Sequence, residues 1–155
     1  MKSLLPSTEL LGSSQIEIHY QRPHLSEMYH ITGVRSAVKL LRQYMNPKQM
    51  DLRESFWVIL LSNANRVLGI SEVAQGTSNS VQVNIKYIFQ LALLTASNAI
   101  ILAHNHPSGN VNVSKRDISE TRKIQKLAKI MDVTVLDHII ITSESYTSFV
   151  EEDLL

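Results

Sequence analysis

Phe56-Trp57-Val58-Ile59-Leu60-Leu61 is an unbroken apolar run. A strand with no polar face must be covered on both sides. The requirement is for a sheet with helices above and below it, and a second run, Ala99-Ile100-Ile101-Leu102-Ala103, repeats it. Asn63-Ala64-Asn65-Arg66 after the first run reads as a turn, and Val67-Leu68-Gly69-Ile70 as the return strand of a β-hairpin.

Helical spacing supplies the covering layers. Ala37, Val38, Leu40, Leu41 and Met45 predict a helix from Ser36 to about Met45, stopped by Asn46-Pro47. Ile85, Ile88, Phe89, Ala92, Leu93 and Ala96 predict a second, and Leu91 and Leu94 widen its apolar stripe until deep burial is expected. A third runs from Ser114 to about Met131, with Ile118, Thr121, Ile124, Leu127, Ala128 and Met131 facing inward. Val133-Thr134-Val135-Leu136 and His138-Ile139-Ile140-Ile141 close the sheet, and a short helix or turn is expected after Ser145. Strands alternating with helices after an antiparallel hairpin give an α/β fold: a three-layer sandwich with a mixed β-sheet flanked by helices.

Residues 1–30 read as an N-terminal extension to a domain spanning 31–155, because Pro6, Gly12 and Pro23 interrupt scattered apolar content. Only Gln15-Ile16-Glu17-Ile18-His19-Tyr20 alternates, as an edge strand or an arm would. At 155 residues and 44% hydrophobic content the chain can bury a full core without staples. It has no cysteine, which removes disulfides, thiolate nucleophiles and every cysteine-containing metal site. A metal would have to be held by His, Asp or Glu. Met1-Lys2-Ser3-Leu4-Leu5-Pro6 lacks the apolar core of a signal peptide, and no stretch approaches the ~18 apolar residues of a membrane span. A cytoplasmic protein without membrane contact is the expectation. A net charge of +1 argues against a chain whose main task is neutralising phosphates.

The second apolar run ends in His104-Asn105-His106-Pro107. Side chains two apart on a strand share a face, so both imidazoles point into one place. A carboxylate from the next element would complete a set of two nitrogens and one oxygen, which suits a zinc ion that keeps its fourth position for water. Asp117 is that carboxylate. Ser114-x-x-Asp117 also has a plainer reading, a capping box stabilising the helix start by about 1 kcal/mol. The two roles are compatible, since a helix N-terminus favours the ionised form that a metal needs. Hydrolysis would further require a base, for which Glu54, before the first buried strand, and Glu72, after the return strand, both stand as candidates.

The pattern of a distant glutamate, His-x-His-Pro and Ser-x-x-Asp resembles the JAMM motif of the MPN/JAB metallopeptidase fold. More narrowly, His104-Asn105-His106-Pro107-Ser108-Gly109, Ser114-x-x-Asp117, Thr121 and Leu136-Asp137-His138-Ile139-Ile140 resemble the RadC-like branch, over about Ile31 to Leu155. The resemblance implies a sandwich similar to that of cytidine deaminases, with His104, His106 and Asp117 ligating zinc. It implies Glu54, in Glu54-Ser55-Phe56, as the base that activates water on the metal, and Ser114 as a stabiliser of the oxyanion. The implied activity is zinc-dependent cleavage of a peptide or isopeptide bond in a peptide or protein substrate. Val113 stands where a proline often precedes the serine, and Asn84-Ile85-Lys86 where proline-arginine is commoner. Longer RadC proteins carry a region similar to a DNA-binding helix-hairpin-helix, and this chain resembles the short form without it.

The alternative expectation is a DNA-repair-associated or nucleic-acid-binding module in which the metal is structural or directed at phosphodiesters. Lys115, Arg116, Arg122, Lys123, Lys126 and Lys129 make the third helix basic, although cations toward a helix C-terminus also suit its dipole. A zinc deaminase resembles His-x-Glu with a cysteine pair, which this chain lacks. Asp137 and His138, being adjacent on a strand, point to opposite faces and read as structural or supporting residues rather than a catalytic pair. Asn105 points away from the histidine face as a loop organiser, and His19, His24 and His30 read as surface residues.

Overall fold

The computed structural model describes Gly12 and residues 15–155. Sequence expectations for residues 1–11, 13 and 14 lie outside the described residues. The order of elements is α1 (Val34–Tyr44), β1 (Ser55–Leu61), β2 (Val67–Gln75), α2 (Ile85–Leu94), β3 (Ala99–Asn105), α3 (Lys115–Ile130), β4 (Thr134–Ile141) and β5 (Tyr146–Ser148). The strands form one sheet in the order β2-β1-β3-β4-β5. β1 is antiparallel to both β2 and β3, β3 and β4 are parallel, and β5 returns antiparallel to β4. The sheet is therefore mixed, and the two long apolar runs occupy its middle.

Each central strand divides its side chains between two cores. Trp57, Ile59 and Leu61 of β1 and Ile101 and Ala103 of β3 pack with Ala37, Val38, Leu40 and Leu41 of α1. Phe56, Val58, Leu60, Ile100 and Leu102 pack on the opposite face with Ile88, Phe89 and Ala92 of α2 and Ile124 and Ala128 of α3. That is the three-layer sandwich, one helix on one side and two on the other.

Two local expectations are corrected and two are narrowed. α2 is not deeply buried: Ile88, Phe89 and Ala92 meet the sheet, whereas Leu93 is 54% exposed, because no further layer lies over its outer side. Met131 sits beyond the last turn of α3 as its C-cap and is exposed rather than inward. After Ser145 a three-residue strand, β5, comes first, too short to show a period, and the expected turn follows it over residues 149–153. Of the two alternatives Gln15–Tyr20 is the arm: Ile16 and Ile18 are exposed, and Tyr20 ties it down, its side chain packing against the second core and its hydroxyl donating to the Leu68 carbonyl at 2.5 Å. The chain joins the sheet soon after, where Val67 N donates to Tyr29 O at 2.9 Å and Ile31 N to Asn65 O at 2.9 Å.

β4 is one continuous strand where two segments were read, and an irregularity explains the break. Ile100 pairs with Val135 but Ile101 pairs with Asp137, so Leu136 is an extra residue in the ladder. Such a bulge turns the following side chains over. Leu136 and Asp137 both face the α1 side, and His138 faces α3. Among the described residues no helix is long and apolar enough to cross a membrane.

Candidate metal centre

β3 alternates, with Ile100 and Leu102 facing α2 and α3, so His104 continues on that face. His106 follows one residue past the strand end, where its N–H donates to Ile141 O at 3.2 Å. The chain then turns sharply: Gly109 N donates to His106 O at 3.0 Å, and Gly109 has φ of 78°, a left-handed backbone that favours glycine. The turn brings the Asn110 carbonyl to 2.6 Å from His106 Nδ1. A carbonyl only accepts, so His106 Nδ1 carries hydrogen and, in the neutral ring, Nε2 is bare.

α3 brings the third donor. Ser114 is its N-cap, accepting from Asp117 N at 3.1 Å, while Asp117 Oδ2 accepts from Ser114 N at 2.8 Å and from Ser114 Oγ at 2.6 Å. This capping box orients Asp117 Oδ1 to 3.3 Å from His104 Nε2, and Oδ2 to 3.9 Å from His106 Nε2. The two Nε2 atoms are 2.9 Å apart. With bonds of about 2.0–2.1 Å to nitrogen and oxygen, tetrahedral donors around zinc lie about 3.3 Å from one another. The three side chains thus suit a small divalent ion, and they are the one cluster of potential ligands found among the described residues.

Burial would raise the Asp117 carboxyl, but the His104 imidazole beside it and the hydrogen bonds of Ser114 outweigh burial and hold the group well below the carboxylate range. It is ionised, as a metal ligand must be.

The trio opens on a cleft of about 300 Å³ that is also lined by Glu54, Ser114, Arg116 and Glu120. Glu54 is half-buried, and its main chain is pinned on both sides of the peptide, Glu54 N donating to Thr77 O and Gly76 N to Glu54 O, each at 2.8 Å. Gly76 is required there, because a Cβ would collide with the backbone of Ser80 and Val81. Glu72 is not part of the cleft and lines a separate hollow with Arg53, Trp57 and Asn105. Glu120 faces the cleft because it stands one helical turn after Asp117. Burial pushes its carboxyl up, against the pull of Arg116 at 4.0 Å.

Residues 31–154 match the family described as the RadC-like JAB domain. The chain belongs to that family. Among curated proteins similar to this RadC-like domain, a UPF0758 protein of Flavobacterium johnsoniae is 41% identical over 101 residues, 65% of this chain and 44% of the relative. One of Staphylococcus carnosus is 38% identical over 130 residues, 83% of this chain and 56% of the relative. A third, of Desulfitobacterium hafniense, is 45% identical over 103 residues, 66% of this chain and 45% of the relative. The RadC-like chain spans about half the length of the curated relatives it matches.

Two further residues of this RadC-like domain stand behind the trio. His138 Nε2 lies 2.8 Å from His104 Nδ1, and Thr121 Oγ1 lies 2.6 Å from His138 Nδ1. Phe149 stacks on the His138 ring at 4.6 Å and Phe56 meets it edge-on at 5.4 Å. Burial, and then the neighbouring His104, lower the His138 pKa well below its ordinary value. Thr121 was readable as an inward-facing residue of the helix, four positions after Asp117. The direction of His138 followed from the bulge, which no periodicity announces.

Asp137 faces the other way, accepting from Ser148 Oγ at 2.6 Å, His138 N at 2.7 Å and Val150 N at 3.1 Å. It fastens β5 and the segment after it to β4.

Proposed function

We propose that the cleft hydrolyses a peptide or isopeptide bond of a peptide or protein substrate, using a divalent ion, zinc by preference, held by His104, His106 and Asp117. The observation that carries this reading is the convergence of the Glu54 carboxylate on the same cleft as the three donors. A purely structural metal site has no need of a half-buried acid beside it. When bound, the ion supplies Lewis acidity, polarising the substrate carbonyl and making a water acidic near neutral pH.

The chain's own groups do the rest. Glu54 accepts the proton of the attacking water and passes it to the leaving amine, the double role of a general base and acid. Ser114 Oγ donates to Asp117 Oδ2 in the present arrangement and lines the cleft, where its hydroxyl would be within the site to donate to the oxyanion. Ser78, Asn79, Asn110 and Asn112 along the cleft offer hydroxyl and amide groups to a peptide main chain. A cysteine-free chain suits a reducing compartment, and the cytoplasm is the proposed one.

The test is zinc-loaded protein assayed on a panel of linear and isopeptide-linked peptides. Cleavage is expected in the wild type and is expected to fall by ~10³-fold in Glu54→Gln with metal content unchanged. Wild type that takes up no divalent ion, or fully loaded wild type that cleaves nothing in the panel, would overturn the reading.

A second reading has one observation behind it: Lys115, Arg122, Lys123 and Lys126 surround a shallow groove on the outer face of α3, and none pairs with a carboxylate among the described residues. This is the nucleic-acid-binding module, and salt-dependent binding abolished by charge reversal at Arg122, Lys123 and Lys126 would favour it.

A further inference from the structure

The bonds behind His104 end on a carbonyl, and that fixes the direction of every proton in the chain. Thr121 Oγ1 lies 2.6 Å from the Asp117 main-chain oxygen and 2.6 Å from His138 Nδ1. The hydroxyl has one proton and the carbonyl can only accept it, so Thr121 must accept from His138 and Nδ1 of that ring carries hydrogen. His138 is enclosed by Phe56 and Phe149, and no carboxylate touches it among the described residues. With a single ring proton its Nε2 is bare, and that atom faces His104 Nδ1 at 2.8 Å. His104 Nδ1–H therefore donates to His138. In a neutral His104 the lone pair is then left on Nε2, the atom 2.9 Å from His106 Nε2 and 3.3 Å from Asp117 Oδ1.

We infer that His138, backed by Thr121, is a positioning residue that locks His104 in the Nδ1–H tautomer and aims its Nε2 lone pair into the cleft. This rests on the proposed function only in taking His104 as a ligand. The lock matters because a free histidine ring in water favours the other tautomer, with hydrogen on Nε2, which would present an N–H to a cation. His106 is set by a local bond to Asn110 within its own turn. His104 is one residue from the end of β3, with its Nδ1 turned toward the neighbouring strand, so its partner is His138 of β4, brought round by the bulge at Leu136. The two imidazoles are preset by separate devices, and both leave a bare Nε2 aimed at the same point. Outer partners of this kind commonly account for about 10–100-fold in metal affinity.

The test reads the tautomer directly in metal-free protein, by two-bond proton–nitrogen correlation of ¹⁵N-labelled histidines at alkaline pH. Wild type is expected to show His104 with hydrogen on Nδ1. His138→Phe keeps a ring between Phe56 and Phe149 but offers no acceptor; the Nε2–H form is expected to appear, and zinc affinity by chelator competition to fall about 10–100-fold. Thr121→Val, of nearly unchanged shape, is expected to move both readouts the same way, and it keeps the idea testable if His138→Phe does not fold. His138→Gln restores an acceptor toward His104 and a donor toward Thr121, so wild-type tautomer and affinity are expected to return. An Nε2–H His104 in wild type would overturn the inference, as would His138→Phe or Thr121→Val proteins that fold and keep both wild-type readouts. The tautomer is measured without substrate, so a domain that cleaves nothing leaves this assignment standing, and a failed tautomer leaves the hydrolase reading standing.

Discussion

Asn105 accepts hydrogen bonds from both the main-chain N–H and the hydroxyl of Ser55, at 2.7 and 2.9 Å. Its amide nitrogen donates in turn to Met50 O and Arg53 O, each at 2.8 Å. The residues on either side of Glu54 are thus held by one side chain from the strand that carries His104. Asn105→Ala would leave these groups short of partners, at about 1–3 kcal/mol for each buried group left unpaired. A loss of about 2–4 kcal/mol in chemical denaturation is expected. Because a shift of about 1 Å at a reacting group can cost ~10²-fold, hydrolysis should fall further than metal content does.

Gly76→Ala tests the same carboxylate from its other side. A Cβ there would meet the backbone of Ser80 and Val81, which has no flexible end to move away. Overpacking of this kind costs about 1–3 kcal/mol. The expected signature is a lowered denaturation midpoint, with weakened protection from hydrogen exchange at Gly76 N and Glu54 N.

Ser114→Ala removes the cap of α3 and the hydroxyl donor to Asp117. The cap is worth about 1 kcal/mol, so the melting temperature should drop by about 2–4 °C. Asp117 would also be less well aimed, and zinc affinity by chelator competition should weaken by about tenfold. An unchanged affinity beside the expected drop in melting temperature would show that capping is the serine's whole contribution to the site.

Asp137 makes a pH prediction. Burial raises its carboxyl above the ordinary 3.8, while Ser148, Val150 and the His138 N–H hold it down in part. Between the ordinary and the raised value the folded protein binds the extra proton, so stability falls as pH rises through that window. Asp137→Asn keeps an acceptor and cannot ionise. Its stability relative to wild type should therefore improve as pH rises from below 3.8 through the raised folded value, measured by urea denaturation at a series of pH values. A constant difference would contradict the sign.

Much of this architecture was legible because burial on both faces writes continuous apolar runs at β1 and β3, and because Ser114 and Asp117 write the start of α3. The trio was legible because a strand places His104 and His106 on one face by spacing alone. The parts that were not legible depend on neighbours. Whether Leu93 is covered depends on a layer that is not there. Whether Gln15–Tyr20 pairs depends on an edge elsewhere. A linear reading of the residues favours Glu54 over Glu72 only slightly, and it is the hairpin register that puts one on the cleft and the other in a different hollow. The side on which His138 emerges is set by one extra residue in β4, and a count of alternating positions gives the opposite face.

The three donors and their supports, Thr121 and His138, all lie in the continuous β3-α3-β4 segment, whereas Glu54 arrives from the β1-β2 hairpin. On the proposed reading, holding an ion and using it therefore draw on different stretches of the chain, joined where β1 pairs with β3. Local loosening around Gly76 would displace Glu54 while the three donors kept their places. Metal content alone would then not report a competent cleft.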